Sequence, residues 1–142
     1  TADSALGRVL LPGDWHKGGP VPEVVQLNPS YFAPYAYRVF AQADPERPWL
    51  ALVDSSYAVL GRNLAATRSG LPSDWIAYNR DTGTLTPYSA TDPHDRRSDF
   101  GYDAIRAPWR VLADKALFPQ EADVRADALL KRFTGALKPQ WD

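Results

Sequence analysis

The chain has 142 residues, 44% hydrophobic and 23% charged, with a formal net charge of −1, a balance that suits one globular domain and excludes a disordered polymer. Nothing in that charge points to nucleic acid or an anionic membrane as a partner, and no apolar run approaches the ~20 residues of a membrane span. Without cysteine there is no disulfide framework or thiolate metal site, and His16 and His94 are too far apart for metal-ligand spacing, so no cofactor is implied.

The 5 Trp, 7 Tyr and 5 Phe are many for this length and suit either an aromatic core or flat surfaces for sugar faces. The chain contains no Met and starts at Thr1, which leads us to expect a processed or excised piece of something longer.

Residues Thr1–Leu27 read as irregular or weakly β, with turn signals at Pro12-Gly13 and Gly18-Gly19-Pro20. Asn28-Pro29-Ser30 is a strong helix start, with Asn at the N-cap and Pro in the first helical position. Phe32, Tyr35, Ala36, Val39 and Phe40 then share one face, predicting a helix to about Ala43. Tyr31, in its first turn, either projects beyond the packed body or is a hydrogen-bonded core tyrosine.

Asp44–Pro48 closes that helix and opens another. Its stripe is Leu50, Val53, Tyr57, Leu60 and Leu64, and Ser69-Gly70 ends it. A short link makes the two helices antiparallel neighbours. Trp75-Ile76-Ala77-Tyr78 is β-like and Asp81–Thr84 is a turn, so Leu71–Leu85 reads as an extended segment or small hairpin. Ser89–Ser98, with Asp92, Asp95, Arg96 and Arg97, reads as a solvated loop.

In Asp99–Arg110, Asp103 and Arg106 lie on one face of a helical turn. Pro108 is tolerated only in a first turn, which puts Asp103 at or just before a helix N-terminus, where a carboxylate is favoured. A carboxylate oriented by Arg106 and flanked by Tyr102 and Trp109 suits a base in a sugar site. The same residues serve equally as a helix cap and a surface ion pair, the commoner use of such a pattern. Trp109, Leu112, Ala113 and Ala116 continue the face to about Leu117. Pro119 opens a last helix carrying Ala122, Val124, Leu129, Leu130 and Phe133, which Gly135 stops, and Ala136–Asp142 is a short polar tail. No strand–helix–strand unit, phosphate-binding glycine loop or nucleophile elbow is present, and no internal repeat.

Three stretches taken in order, Asn28–Tyr35, Gly70–Trp75 and Tyr102–Arg110, resemble glycoside hydrolase family 8, most closely the bacterial endoglucanases associated with cellulose synthesis. The resemblance runs over roughly Leu10–Phe133. It implies an all-α fold, the (α/α)6 barrel, a toroid of helical hairpins of which this chain is about half, with a small β excursion. It implies cleavage of β-1,4-glucan with inversion, in which one carboxylic acid protonates the leaving oxygen and a second carboxylate activates water. Asp103 matches the position of the general base. Arg106 then holds the base and contacts sugar, Tyr102 lines the reacting subsite, Tyr31 positions sugar and water, and Asn28 and Trp75 line the groove. A periplasmic or secreted location also follows from the resemblance.

The family's catalytic glutamate belongs to a small-residue motif followed by Ser-Tyr-Gly in the amino-terminal half. Glu23, Glu46 and Glu121 are the glutamates here, and none sits in such a motif. The expectation is therefore a carboxy-terminal portion, residues 1–142, of one catalytic domain, inactive alone and partnered by the missing amino-terminal part. Two other readings compete: a non-catalytic glycan-binding helical module, and a family 8 hydrolase acting on xylan or chitosan.

Overall fold

The computed structural model describes residues 1–88 and 96–138, the Asp123 side chain apart. Four helices carry the body: α1 (Pro34–Ala43), α2 (Trp49–Ala66), α3 (Arg106–Leu117) and α4 (Pro119–Leu137). Short links join α1 to α2 and α3 to α4, and the two hairpins pack with α1 against α3 and α2 against α4. The long described segments, residues 1–33, 67–88 and 96–105, therefore gather at the end where α1 and α3 begin and α2 finishes. Loops held at one end of a rigid scaffold are where binding residues concentrate.

Three short strands sit at that end: β1 (Val24–Leu27), β2 (Ile76–Asn79) and β3 (Leu85–Pro87), antiparallel in the order β1-β2-β3. Val25 pairs with Tyr78 and Leu27 with Ile76, and these four side chains form the buried face. Of the two forms expected for Leu71–Leu85, an extended segment or a small hairpin, the hairpin is present, and Gly83, at φ +70°, makes its turn. Arg80 fastens the first segment to the sheet, donating to the carbonyls of Asp3, Val21 and Pro22.

The helix expected from Asn28 is interrupted. Asn28 caps a single 3-10 turn, Pro29–Tyr31, accepting from the Ser30 amide at 3.0 Å, and α1 starts only at Pro34. Pro34 has no N–H and its ring would strike the Ser30 carbonyl, and it forces Ala33 out of the helical region, to φ −124°, ψ 72°. Tyr31 consequently stands at a corner, 39% exposed, and is no core tyrosine.

The faces differ from expectation too. On α1 the buried residues are Pro34, Tyr37 and Arg38, while Val39 and Phe40 are exposed; on α3 they are Ala107, Val111 and Asp114, while Trp109 and Leu112 are exposed. Both helices thus have a second apolar face that the described residues leave about half exposed. The α2 stripe is buried except for Leu50, and Val124 of α4 is exposed. Gly135 does not stop α4, which continues to Leu137; and α2 ends at Ala66, Gly70 serving the turn beyond it at φ +69°.

At the centre of the four helices lies a charged cluster. Arg38 donates to both carboxylate oxygens of Asp114, at 2.9 and 3.3 Å, and to the Glu121 carbonyl, while the Tyr57 hydroxyl donates to Asp114 at 2.7 Å. Asp114 is fully buried, and its carboxylate is satisfied from α1 and α2, while α4 supplies the Glu121 carbonyl that accepts from Arg38. The loop expected at Ser89–Ser98, including His94, lies largely outside the described residues, as does most of the polar tail. No described helix is long and apolar enough to cross a membrane.

Candidate active site

The strand register sets the first half of the site. Because Leu27 pairs with Ile76, the chain leaves β1 as Asn28 close to where it enters β2 from Trp75. Asn28 is 1% exposed, its side chain fixed by the Ser30 amide. The free Nδ2 donates to Asp103 Oδ2 at 3.0 Å.

The second half comes from the turn before α3. Asp103 lies three residues before the helix begins and does not cap it: no side chain accepts from the first helical amides, and Ile105 occupies the cap position. The Asp103 carbonyl accepts from the Arg106 amide at 3.1 Å, leaving the carboxylate to project from the turn. Its Oδ1 accepts from Arg106 at 2.7 Å, and the same guanidinium nitrogen reaches the Ser30 hydroxyl at 3.4 Å. Arg106 also lies over the Tyr102 ring, 5.2 Å from its centroid. The hydrogen bond to Asp103, assisted by its charge, holds the guanidinium proton above its ordinary value. Asp103 thus has a donor on each oxygen and is still 26% exposed, open to a small molecule.

Aromatic rings form a surface beside this carboxylate. Trp75 is the hub: Trp15 stacks on it at 6.4 Å and 27° between planes, Tyr31 meets it edge-on at 73°, and Tyr88 tilts against it at 59°. Arg97 lies over Tyr88 at 4.1 Å. Trp15, in a segment read only as irregular, is 63% exposed. Gly13 makes room for it, since a Cβ there would stand 2.9 Å from the indole. Flat, half-exposed rings next to an acceptor carboxylate can hold a sugar face and deprotonate a water.

Asn28, Tyr31, Trp75, Tyr102, Asp103 and Arg106 are therefore gathered at one end of the molecule, though Tyr102 is 80% exposed and touches only Arg106 among them. Trp15, Tyr88, Ser30 and Asp74 join them without having been expected from the sequence. Glu46, in the link between α1 and α2, and Glu121, in the first turn of α4, sit at the opposite end, roughly 15 Å or more away along α1 and α3. Glu23 is exposed beside the sheet and accepts from Asn79. A depression of about 560 Å3 between the end of α2, β3 and residues 98–100 does not include Asp103 in its lining.

The model of the glycosyl hydrolases family 8 matches residues 2–138. The chain belongs to glycoside hydrolase family 8. Endoglucanase A of Acetivibrio thermocellus is 35% identical over 127 residues, covering 88% of this chain and 24% of that protein. An endoglucanase of Cellulomonas uda is 37% identical over 104 residues, or 73% of this chain and 26% of its own length. Among solved structures, a family 8 endo-β-1,4-glucanase from an Achatina fulica gut metagenomic library has a TM-score of 0.67 at 31% identity, covering 92% of this chain and 36% of that one. The endo-β-1,4-glucanase CMCax from Acetobacter xylinum has a TM-score of 0.70 at 26% identity, covering 95% and 37%. The four helices and small sheet are thus part of the family's (α/α)6 barrel, and the chain spans about a quarter to a third of the relatives it matches.

Proposed function

We propose that this chain is the carboxy-terminal portion of the catalytic domain of a family 8 endo-β-1,4-glucanase, with Asp103 as the general base. The observation that carries the proposal is the Asp103 carboxylate, held by Asn28 and Arg106 and open to solvent beside the Trp75 aromatic surface. In the reaction, Asp103 takes a proton from a water as its oxygen attacks the anomeric carbon, and the glycosidic carbon–oxygen bond breaks on the opposite face. An acid protonates the leaving oxygen, and inversion requires the two carboxyl groups to stand about 6.5–9.5 Å apart to admit the water. Glu46 and Glu121 lie at the opposite end of the helices and Glu23 is exposed beside the sheet, which supports assigning the acid to the amino-terminal portion.

Two facts support that division. The relatives extend well beyond the matched region, and the faces of α1 and α3 bearing Val39, Phe40, Trp109 and Leu112 lie uncovered. Arg106 holds the base, Tyr102 and Tyr31 border the reacting sugar, and Trp75 with Trp15 carries neighbouring sugars of β-1,4-glucan. The assembled enzyme works in the periplasm or outside the cell, where its polymer lies.

The test is hydrolysis of carboxymethylcellulose by this chain alone and together with the amino-terminal portion. We expect turnover only from the mixture, with inverted product, and a loss of about 10²–10⁴ for Asp103→Asn. Equal activity of the chain alone would sink the division of the site. A second reading, a non-catalytic glycan-binding module, is favoured by the rings of Trp15, Tyr31 and Tyr88 gathered around Trp75 within this chain. It predicts cello-oligosaccharide binding by the lone chain and no effect of Asp103→Asn on any associated turnover. Xylan and chitosan profiled beside the glucan separate the family's other polymers.

A further inference from the structure

Asn28 and Arg106 fix the two oxygens of Asp103, but its backbone belongs to a turn, Gly101–Ile105, that precedes the helix. Two amides of that turn, Gly101 at 3.2 Å and Ala104 at 2.7 Å, donate to a single oxygen, Asp74 Oδ1. Ala104 is fully buried, so its amide has no recourse to water. The approach is close enough to dictate the residue at 101: a Cβ on Gly101 would stand 2.4 Å from Asp74 Oδ2. The backbone on either side is joined as well, the Asp74 amide donating to the Asp99 carbonyl and the Trp75 amide to the Arg97 carbonyl, just ahead of the turn. One carboxylate thus clamps the turn carrying Asp103 to Trp75 and the entry to β2.

We propose that Asp74 is the positioning residue of this site, setting where the Asp103 carboxylate stands relative to a sugar lying on Trp75. The proposal rests on Asp103 being the general base. Asp74 touches neither water nor sugar in this role; it acts through the Gly101 and Ala104 amides. A displacement of about 1 Å at a reacting group costs on the order of 10²-fold in rate, which sets the scale of the effect.

The experiment is a double-mutant cycle in the enzyme completed by its amino-terminal portion, with hydrogen exchange of the Gly101 and Ala104 amides. Asp74→Ala should lower kcat about 10–100-fold with KM within about threefold, and should speed exchange at both amides. Asp74→Asn keeps a neutral acceptor oxygen and should retain activity within about tenfold. In an Asp103→Asn background Asp74→Ala should cost nothing further, because the residue it positions is gone. Gly101→Ala, which presses on the Asp74 carboxylate, should lower kcat with the fold intact if Asp74→Ala proves insoluble. The proposal is overturned by a rise in KM at constant kcat, by an equal loss in the Asp103→Asn background, or by unchanged exchange at Ala104. If Asp103→Asn alone leaves kcat intact, the base assignment fails, while the exchange measurement still decides whether Asp74 holds the turn.

Discussion

Asn28 and Asp103 are separated by 75 residues of sequence and joined by a 3.0 Å hydrogen bond, with Asn28 buried and Asp103 at the solvent edge. The amide of Asn28 is divided in use, its oxygen capping the 3-10 turn and its nitrogen holding the carboxylate. Asn28→Ala removes both and should cost about 1 kcal/mol of stability and roughly tenfold in kcat. Asn28→Asp keeps the cap oxygen but buries a second carboxylate against the first, so both its loss of kcat and its stability cost should exceed those of Asn28→Ala. Steady-state kinetics and thermal unfolding on the two variants check the ordering; the reverse order of kcat would contradict it.

The aromatic surface makes a separate prediction about binding. Trp75 touches Trp15, Tyr31 and Tyr88, so its removal disturbs all three, whereas removing Trp15 takes away one exposed ring. Trp75→Ala should weaken cello-oligosaccharide binding about 10–100-fold and Trp15→Ala about tenfold or less, and the double variant should lose less than the sum. Tryptophan fluorescence titration measures all three.

The part of this fold that was legible in the sequence was its periodicity. Helices at Trp49–Ala66, Arg106–Leu117 and Pro119–Leu137 follow from spacing and proline positions, as does the hairpin after Trp75. Which face of α1 and α3 packs was not legible. The packed faces carry Arg38 and Asp114, charged residues that are buried only because they satisfy each other, while Val39, Phe40, Trp109 and Leu112 remain outside. Hydrophobicity cannot distinguish a face packed within the chain from one awaiting a neighbour. In the site, Asp103 and Arg106 were visible through their spacing. Asp74 and Trp15 were not, because the first acts on backbone amides 27 and 30 residues away and the second lies in a segment without periodic structure.

The buried cluster fixes how the helices depend on one another. Asp114→Asn leaves the Arg38 guanidinium, whose side chain is 9% exposed, without its counter-charge, and should cost about 3–5 kcal/mol in urea unfolding. Burial, then the bond to Asp114, raises the Tyr57 hydroxyl well above the ordinary 10.0. The native state therefore keeps a proton that the unfolded chain releases above pH 10. The unfolded state binds fewer protons there, so stability is full below about pH 10 and falls by up to about 1.4 kcal/mol per unit above it. Tyr57→Phe should lower stability at pH 7 through the lost bond and flatten this alkaline fall. Tyr37, raised by burial, keeps a share of the slope. Urea midpoints at pH 8, 9.5 and 11 read both effects.

The uncovered face tests the proposed assembly directly. Trp109 is 59% exposed and Leu112 54%, one turn apart on α3, with Tyr35 edge-on to the indole at 6.0 Å. Substituting residues already in water costs the isolated chain little, whereas burying each against a partner is worth about 1.5–3 kcal/mol. Trp109→Lys with Leu112→Glu should therefore leave the thermal unfolding of the lone chain almost unchanged, reduce its self-association in sedimentation, and weaken its binding to the amino-terminal portion by at least about 100-fold. The pair of substitutions adds one charge of each sign, so a loss of binding cannot be ascribed to net charge. Unaltered assembly of the double variant with the amino-terminal portion would mean that the rest of the barrel docks elsewhere.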